Sequence, residues 1–147
     1  MKPTFLAMDL EGTLISNAVS QIARPGLLTF LEYVRLEFNH LVIFTTVPEP
    51  LARKICSLLV AEGVAPTWFA QLPYVNWHGS TKDLRFVTPD PTQALLLDDH
   101  GPYVHPGQQG SWIEVPLFVS PYADNDKGLE LARLRIDERL AALSREH

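Results

Sequence analysis

Cysteine is nearly absent from this sequence of 147 residues, which contains one, Cys56. A single cysteine excludes an internal disulfide bond and any zinc site built from several cysteines. No apolar run approaches the roughly 18–20 residues that a transmembrane helix needs, and the amino-terminal segment predicts no signal peptide. We therefore expect a protein of the reducing cytoplasm that does not enter a membrane.

Positive charge is scarce as well, because 12 lysine and arginine residues face 17 aspartate and glutamate residues, for a formal net charge of −5. Nucleic-acid binding depends largely on basic side chains that neutralise phosphates, so the composition argues against a nucleic-acid partner. Hydrophobic residues make up 46% of the chain, and a chain of this length buries about two-thirds of its unfolded surface. We expect one globular domain over residues 1–147.

Short apolar runs that end at polar residues recur along the chain, and this pattern is typical of strands buried in a parallel sheet. The four clearest runs cover residues 4–8, 40–44, 94–97 and 112–115. Two shorter strands are predicted at residues 68–69 and 74–75, where the pattern is harder to interpret.

Helical periodicity separates these runs. The first predicted helix follows the Arg-Pro-Gly turn at residues 24–26, the second begins at residues 48–50 and ends near Gly63, and the third is capped by Asp124 or Asn125. The apolar stripe of the second helix is expected to be Leu51, Ile55, Leu58 and Leu59. Strands that alternate with helices predict a three-layer α/β fold with a parallel, Rossmann-like sheet.

Acidic side chains follow two of the predicted strands. Asp9 and Glu11 come after the first strand, and Asp98 and Asp99 come after a later one. Ligands of parallel sheets bind at the carboxyl ends of the strands, so we expect these carboxylates to converge. Carboxylates that converge repel one another unless they bind a cation or change their pKa values, and oxygen ligands suit Mg²⁺.

Two further side chains are suited to bind a phosphoryl group. Thr45, at the end of the second strand, can donate a hydrogen bond to a phosphoryl oxygen, and Lys82 can offset the negative charge of a carboxylate nucleophile and of a phosphate. Of the two acids after the first strand, Asp9 can act as the nucleophile and Glu11 as the proton donor or acceptor.

The order of these motifs resembles that of the haloacid dehalogenase superfamily of phosphotransferases. Within it the chain is most similar to the branch of NLI-interacting-factor and CTD-phosphatase-like proteins, through residues 24–26, the Phe-Thr-Thr sequence at 44–46 and the Lys-Asp-Leu sequence at 82–84. The four superfamily motifs are Asp-Leu-Glu-Gly-Thr at residues 9–13, the strand that ends at Thr45, Lys82, and the strand that ends at Asp98 and Asp99.

The resemblance implies Mg²⁺-dependent hydrolysis of phosphomonoesters through a phosphorylated aspartate. Asp9 would be the nucleophile and Glu11 the acid and base. Thr45, Thr46 and Lys82 would bind the phosphoryl group.

The resemblance also implies the metal ligands and an open site. Mg²⁺ would be held by Asp9, by the backbone carbonyl of Glu11, and by Asp98 or Asp99, of which we favour Asp98. The interval from residue 46 to residue 82 leaves no room for a large cap domain. An open site can take a phosphoprotein, or a phosphorylated small molecule enclosed by an oligomer partner, and the sequence leaves both open.

One departure from the branch keeps another hypothesis open. The second acid of the first motif is Glu11, where the branch has aspartate, although a Glu-Gly-Thr version resembles the active enolase-phosphatases. This departure and the missing cap motivate the alternative of a catalytically weak or inactive module with a binding or regulatory role. Phosphoryl transfer to an acceptor other than water is a third possibility.

Overall fold

A parallel sheet of four strands forms within residues 2–145, the part of the chain that this computed structural model describes. The strands are β1 (Phe5–Met8), β2 (His40–Ile43), β3 (Ala94–Asp98) and β4 (Trp112–Glu114). Their order across the sheet is β2-β1-β3-β4, and each neighbouring pair is parallel. The four clearest strand predictions and the α/β class are therefore confirmed.

The register brings the carboxyl ends of the three neighbouring strands to one level. Met8 pairs with Ile43 on β2 and with Leu97 on β3. The pairing extends one residue beyond β1, since the N–H group of Asp9 donates to the carbonyl of Leu97 at 2.9 Å. The chain leaves β1 for β2 on one side and returns to β3 on the other, and such a switch point opens a crevice where ligands bind.

Three α-helices are found within the described residues: α1 (Leu27–Glu37), α2 (Glu49–Ala61) and α3 (Gly128–Arg145). All three predicted helices are confirmed, but two details were wrong. In α2, the predicted Ile55 and Leu59 are buried, but Leu58 is 40% exposed, and Ala52 and Cys56 complete the buried face. The last helix begins later than expected, and the carboxylate that accepts a hydrogen bond from its first N–H group belongs to Asp126.

Two apolar clusters cover the two faces of the sheet. The larger cluster joins residues of all three helices to Leu6, Met8, Leu95 and Leu97. The smaller cluster contains the intervening strand residues, such as Ala7 and Leu96, and is covered by Leu84 and other residues of irregular segments. The third layer of the predicted fold is therefore built from loops and short 3-10 helices.

The two shorter strand predictions were only partly correct. Residues 68–69 lie in a 3-10 helix, Thr67–Gln71, which begins after Pro66. Tyr74 forms a single parallel bridge with Ile43 on the outer side of β2. A longer ladder does not form there, since Pro73 has no N–H group to donate. The other 3-10 helices are Leu84–Phe86, Pro91–Gln93, Gly101–Tyr103 and Gln109–Ser111.

The outer strand β4 is covered by arginines of α3. Arg135 donates to the carbonyl of Glu114 at 2.6 Å, and Arg139 donates to the carbonyls of Trp112 and Gly110. Two half-buried arginines of α3 therefore supply hydrogen bonds to the edge of the sheet.

The interval between β2 and Lys82 contains α2 and a 3-10 helix, and no cap domain is inserted anywhere in residues 2–145. In that same range, none of the helices combines the length and the apolar character needed to cross a bilayer.

Candidate active site

Three carboxylates meet at the carboxyl ends of β1 and β3. Asp9, Asp98 and Asp99 each place one oxygen within 4.8 Å of the others. Asp9 and Asp98 are buried, and Asp99 is half-buried. The expected convergence of these acids is therefore present, and their oxygens are of the type that binds Mg²⁺.

Lys82 enters this cluster as a fully buried cation. Its Nζ lies 2.9 Å from Oδ1 of Asp9 and 2.6 Å from Oδ2 of Asp98. The backbone of Lys82 is held in place, because its N–H group donates to the carbonyl of Tyr103 at 2.6 Å. The ring of Tyr103 lies 5.0 Å from Nζ, a distance that permits a cation–π contact.

Burial and charge oppose each other in this cluster. Burial raises the pKa of Asp9 well above its usual value, and the ammonium group of Lys82 opposes that rise. Burial alone would lower the pKa of Lys82, but the negative charges of Asp9 and Asp98 outweigh it and raise this pKa. Lys82 is therefore held in its charged form, where it favours ionised carboxylates.

The turn after β1 contacts two of these acids. The Thr13 hydroxyl oxygen lies 3.0 Å from Oδ2 of Asp9 and 3.0 Å from Oδ1 of Asp99. Gly12 has φ +74°, and a Cβ there would lie 2.6 Å from Cδ1 of Leu117. The left-handed conformation favours glycine here, and a side chain would in addition have to displace the exposed Leu117 side chain.

The two neighbouring acids of β3 have different surroundings. Asp98 is fully buried, with one oxygen bonded to Lys82 and the other accepting from the N–H group of His100 at 2.9 Å. Asp99 instead faces an open cleft that also contains Asp9. Asp98 is therefore closed off from solvent, whereas Asp99 can be reached from it.

This cleft has a volume of about 280 Å³. Glu11 lines it, and its Oε2 accepts a hydrogen bond from the N–H group of Ala18 at 2.6 Å. The longer side chain of glutamate is thus tethered by the loop that follows the first motif. The other lining residues besides Asp9 and Asp99 are Gly12, Ser16, Thr46, His100, Tyr103 and Leu117.

The structure places Thr45 in a neighbouring cavity of about 260 Å³, which shares Thr46 with the acidic cleft. The Thr45 hydroxyl oxygen accepts from the N–H group of Val47 at 3.1 Å, so its own proton can still be donated. The Thr45 carbonyl accepts from the indole N–H of Trp77 at 2.9 Å. Thr45 is therefore held rigidly beside the cleft and not within its lining.

Several residues around the site were not assigned a role from the sequence. Arg24, Trp77 and Tyr103 contact the first motif, Thr45 and Lys82, respectively. The Arg-Pro-Gly turn at residues 24–26 was one carrier of the family resemblance, and it could have drawn attention to Arg24. Arginine is rarely fully buried unless it is paired, so the burial of Arg24 indicates specific partners. No local pattern distinguishes Trp77 or Tyr103 from other aromatic residues that pack in a core.

A family model for NLI interacting factor-like phosphatases matches residues 4–145. The chain belongs to this family. The NLI interacting factor-like phosphatases lie in the haloacid dehalogenase superfamily, so the resemblance found in the sequence is confirmed over most of the chain. Membership identifies the chain as a phosphatase of the haloacid dehalogenase type, with a phosphorylated substrate. No curated protein matches the chain.

Proposed function

We propose that this phosphatase hydrolyses phosphomonoesters in a Mg²⁺-dependent reaction through a phosphorylated Asp9. The observation that carries the proposal is the placement of Asp9 between the ammonium group of Lys82 and the hydroxyl of Thr13, at the base of an open cleft. A carboxylate held in this way is oriented for attack, and its charge is offset by the lysine.

In the first step, a carboxylate oxygen of Asp9 attacks phosphorus, and the bond from phosphorus to the ester oxygen breaks. Lys82 offsets the charge on the phosphoryl oxygens, and the Thr45 hydroxyl donates to one of them. Glu11 gives its proton to the leaving oxygen. The products are an alcohol and an acyl phosphate on Asp9.

In the second step, Glu11 takes a proton from water, and the water oxygen attacks phosphorus. The bond between phosphorus and Asp9 breaks, which regenerates the carboxylate and releases inorganic phosphate. The N–H group of Ala18 supports this role, because it orients the carboxylate of Glu11, which lines the cleft.

The donor set of the site fits Mg²⁺. Three carboxylates meet here and two of them contact Lys82, and this excess of negative oxygen ligands over positive charge favours a hard divalent cation. Asp9, Asp99 and the backbone carbonyl of Glu11 would hold it. Asp98, which the sequence favoured as the ligand, is better suited to hold Lys82, because it contacts the lysine, is fully buried and does not line the cleft. Bound Mg²⁺ would neutralise charge on the phosphoryl oxygens.

The test is turnover of para-nitrophenyl phosphate and of a panel of phosphometabolites and phosphopeptides, with Mg²⁺ and with EDTA. We expect Mg²⁺-dependent release of phosphate that is abolished in Asp9→Asn. Mass spectrometry of the acid-quenched parent protein should find a phosphoryl group on Asp9. Absence of turnover on the whole panel would favour the weak or inactive binding module. Activity retained in Asp9→Asn would contradict the assigned nucleophile.

A further inference from the structure

The buried side chain of Arg24 connects the turn after β1 to the start of α3. Its guanidinium group is 0% exposed, with Nε 2.7 Å from Oδ2 of Asp126 and Nη2 3.3 Å from Oδ1. On the other side, Nη1 donates to the carbonyl of Thr13 at 3.2 Å and to that of Gly12 at 3.4 Å. One side chain thus joins two distant segments of the chain.

The beginning of α3 is built around this guanidinium group. A Cβ at Gly128 would lie 1.9 Å from Nη2 of Arg24, so a larger residue there would displace the guanidinium group. Asp126, the ionic partner of Arg24, also accepts from the N–H group of Gly128 at 3.1 Å. The ring of Phe118 covers the guanidinium carbon at 5.3 Å, and its N–H group donates to the carbonyl of Gly12 at 2.9 Å.

This arrangement requires the geometry of arginine. Its planar group carries five N–H donors in a fixed fork, which here serve the carboxylate of Asp126 on one side and the carbonyls of Gly12 and Thr13 on the other. Lysine keeps the charge but concentrates its donors at one point. It cannot bond a carboxylate in a bidentate manner and reach two carbonyls at the same time.

We propose that Arg24 is a positioning residue for the phosphatase reaction, acting through the Gly12-Thr13 turn. By fixing the carbonyls of this turn, Arg24 aims the Thr13 hydroxyl, which lies 3.0 Å from both Asp9 and Asp99. The start of α3 thereby sets the orientation of the nucleophile. This inference rests on the proposed function, since it assigns Asp9 as the attacking group.

The test compares Arg24→Lys with a control that loosens the helices without touching the turn. We expect Arg24→Lys to lower kcat by ~10- to 100-fold, the range in which misplaced catalytic groups reduce rates, with KM for para-nitrophenyl phosphate changed less than about threefold. Asp126→Asn should also lower kcat. In the double variant with Arg24→Lys it should reduce kcat little further, because both substitutions act through one contact. The matched control is Tyr33→Phe, which removes a hydrogen bond from Tyr33 on α1 to Asp137 on α3 and should leave kcat unchanged.

A second measurement is independent of turnover. Hydrogen exchange at the N–H group of Phe118, which bonds to the Gly12 carbonyl, should be faster in Arg24→Lys than in the parent and unchanged in Tyr33→Phe. An Arg24→Lys protein with the parent kcat and the parent exchange rate would overturn the inference. If the parent has no phosphatase activity, the proposed function fails, and the exchange comparison still decides whether Arg24 fixes the turn.

Discussion

At the scale of single residues, the site depends on one lysine shared by two buried acids. Lys82 contacts both Asp9 and Asp98, and its side chain is completely buried. Removing one partner of a buried ionic group leaves the others without a compensating charge. The resulting loss of stability is larger than the net stabilisation that the intact pair provides. Substitutions at this lysine should therefore change both the chemistry and its dependence on pH.

Lys82→Met keeps the length of the side chain and removes its charge. We expect kcat to fall by ~10²-fold, the lower end of the effect of losing one electrostatic donor. The acidic limb of the pH–rate profile should also move to higher pH, because Lys82 opposes the burial-driven rise in the pKa of Asp9. The profile measured with saturating para-nitrophenyl phosphate checks both effects, and Lys82→Arg is the charge-conserving control. An unchanged kcat would remove Lys82 from the mechanism.

Substitutions of the two acids at the end of β3 should have different effects on Mg²⁺ binding. Asp99→Ala is expected to raise the Kd for Mg²⁺ by at least ~10-fold, equivalent to about 1.4 kcal/mol, because Asp99 lines the cleft. Asp98→Ala should affect Mg²⁺ less and reduce thermal stability more, since it leaves fully buried Lys82 without one of its partners. Calorimetry and thermal unfolding of the two variants measure these effects. The reverse order would return the role of ligand to Asp98.

At the scale of elements, α1 and α3 are joined by a polar contact as well as by apolar packing. The Tyr33 hydroxyl donates to Asp137, and the guanidinium carbon of Arg133 lies 4.4 Å from the centre of the Tyr33 ring. Burial, followed by the hydrogen bond to Asp137, raises the pKa of Tyr33 above its ordinary value. The phenol is therefore held in its neutral form by the fold.

Tyr33→Phe should lower the free energy of unfolding by about 0.5–1.5 kcal/mol at neutral pH, the usual net value of one hydrogen bond. A pKa that is raised on folding gives stability that is present below the unfolded value of about 10 and is lost as pH rises above it. The variant should therefore lose less stability than the parent between neutral pH and strongly alkaline pH. Urea unfolding at several pH values tests this, and identical pH dependence would argue against the contact.

The element scale also explains what could be predicted from the sequence. Apolar runs placed Asp9, Thr45 and Asp98 at strand ends, because a fully buried strand has a clear pattern and parallel strands align their ends. The buried face of α2 was predicted correctly at Ile55 and Leu59 and wrongly at Leu58, because helical spacing alone does not decide which edge of an apolar stripe is covered by the rest of the fold. The partners of Arg24 could not be predicted, because they depend on a contact to Asp126, 102 residues away.

At the scale of the whole molecule, we propose that residues 1–147 form one cooperative unit. The larger apolar cluster contains residues of β1 near one end of the chain and of α3 near the other. A shared core of this kind predicts one unfolding transition, with the same midpoint by circular dichroism and by tryptophan fluorescence. Mg²⁺ should raise that midpoint, because a ligand that binds only the folded state stabilises it. Two separate transitions would contradict the single domain.

The arginines of α3 that bond to β4 have a consequence for the behaviour of the protein at high concentration. An outer strand with free carbonyls is a template for the strand of another molecule, and this is a common route to aggregation. Arg135 and Arg139 already occupy carbonyls along β4. A second copy would have to displace charged, hydrated side chains before its own strand could pair there, so growth of the sheet into fibrils from this edge is disfavoured.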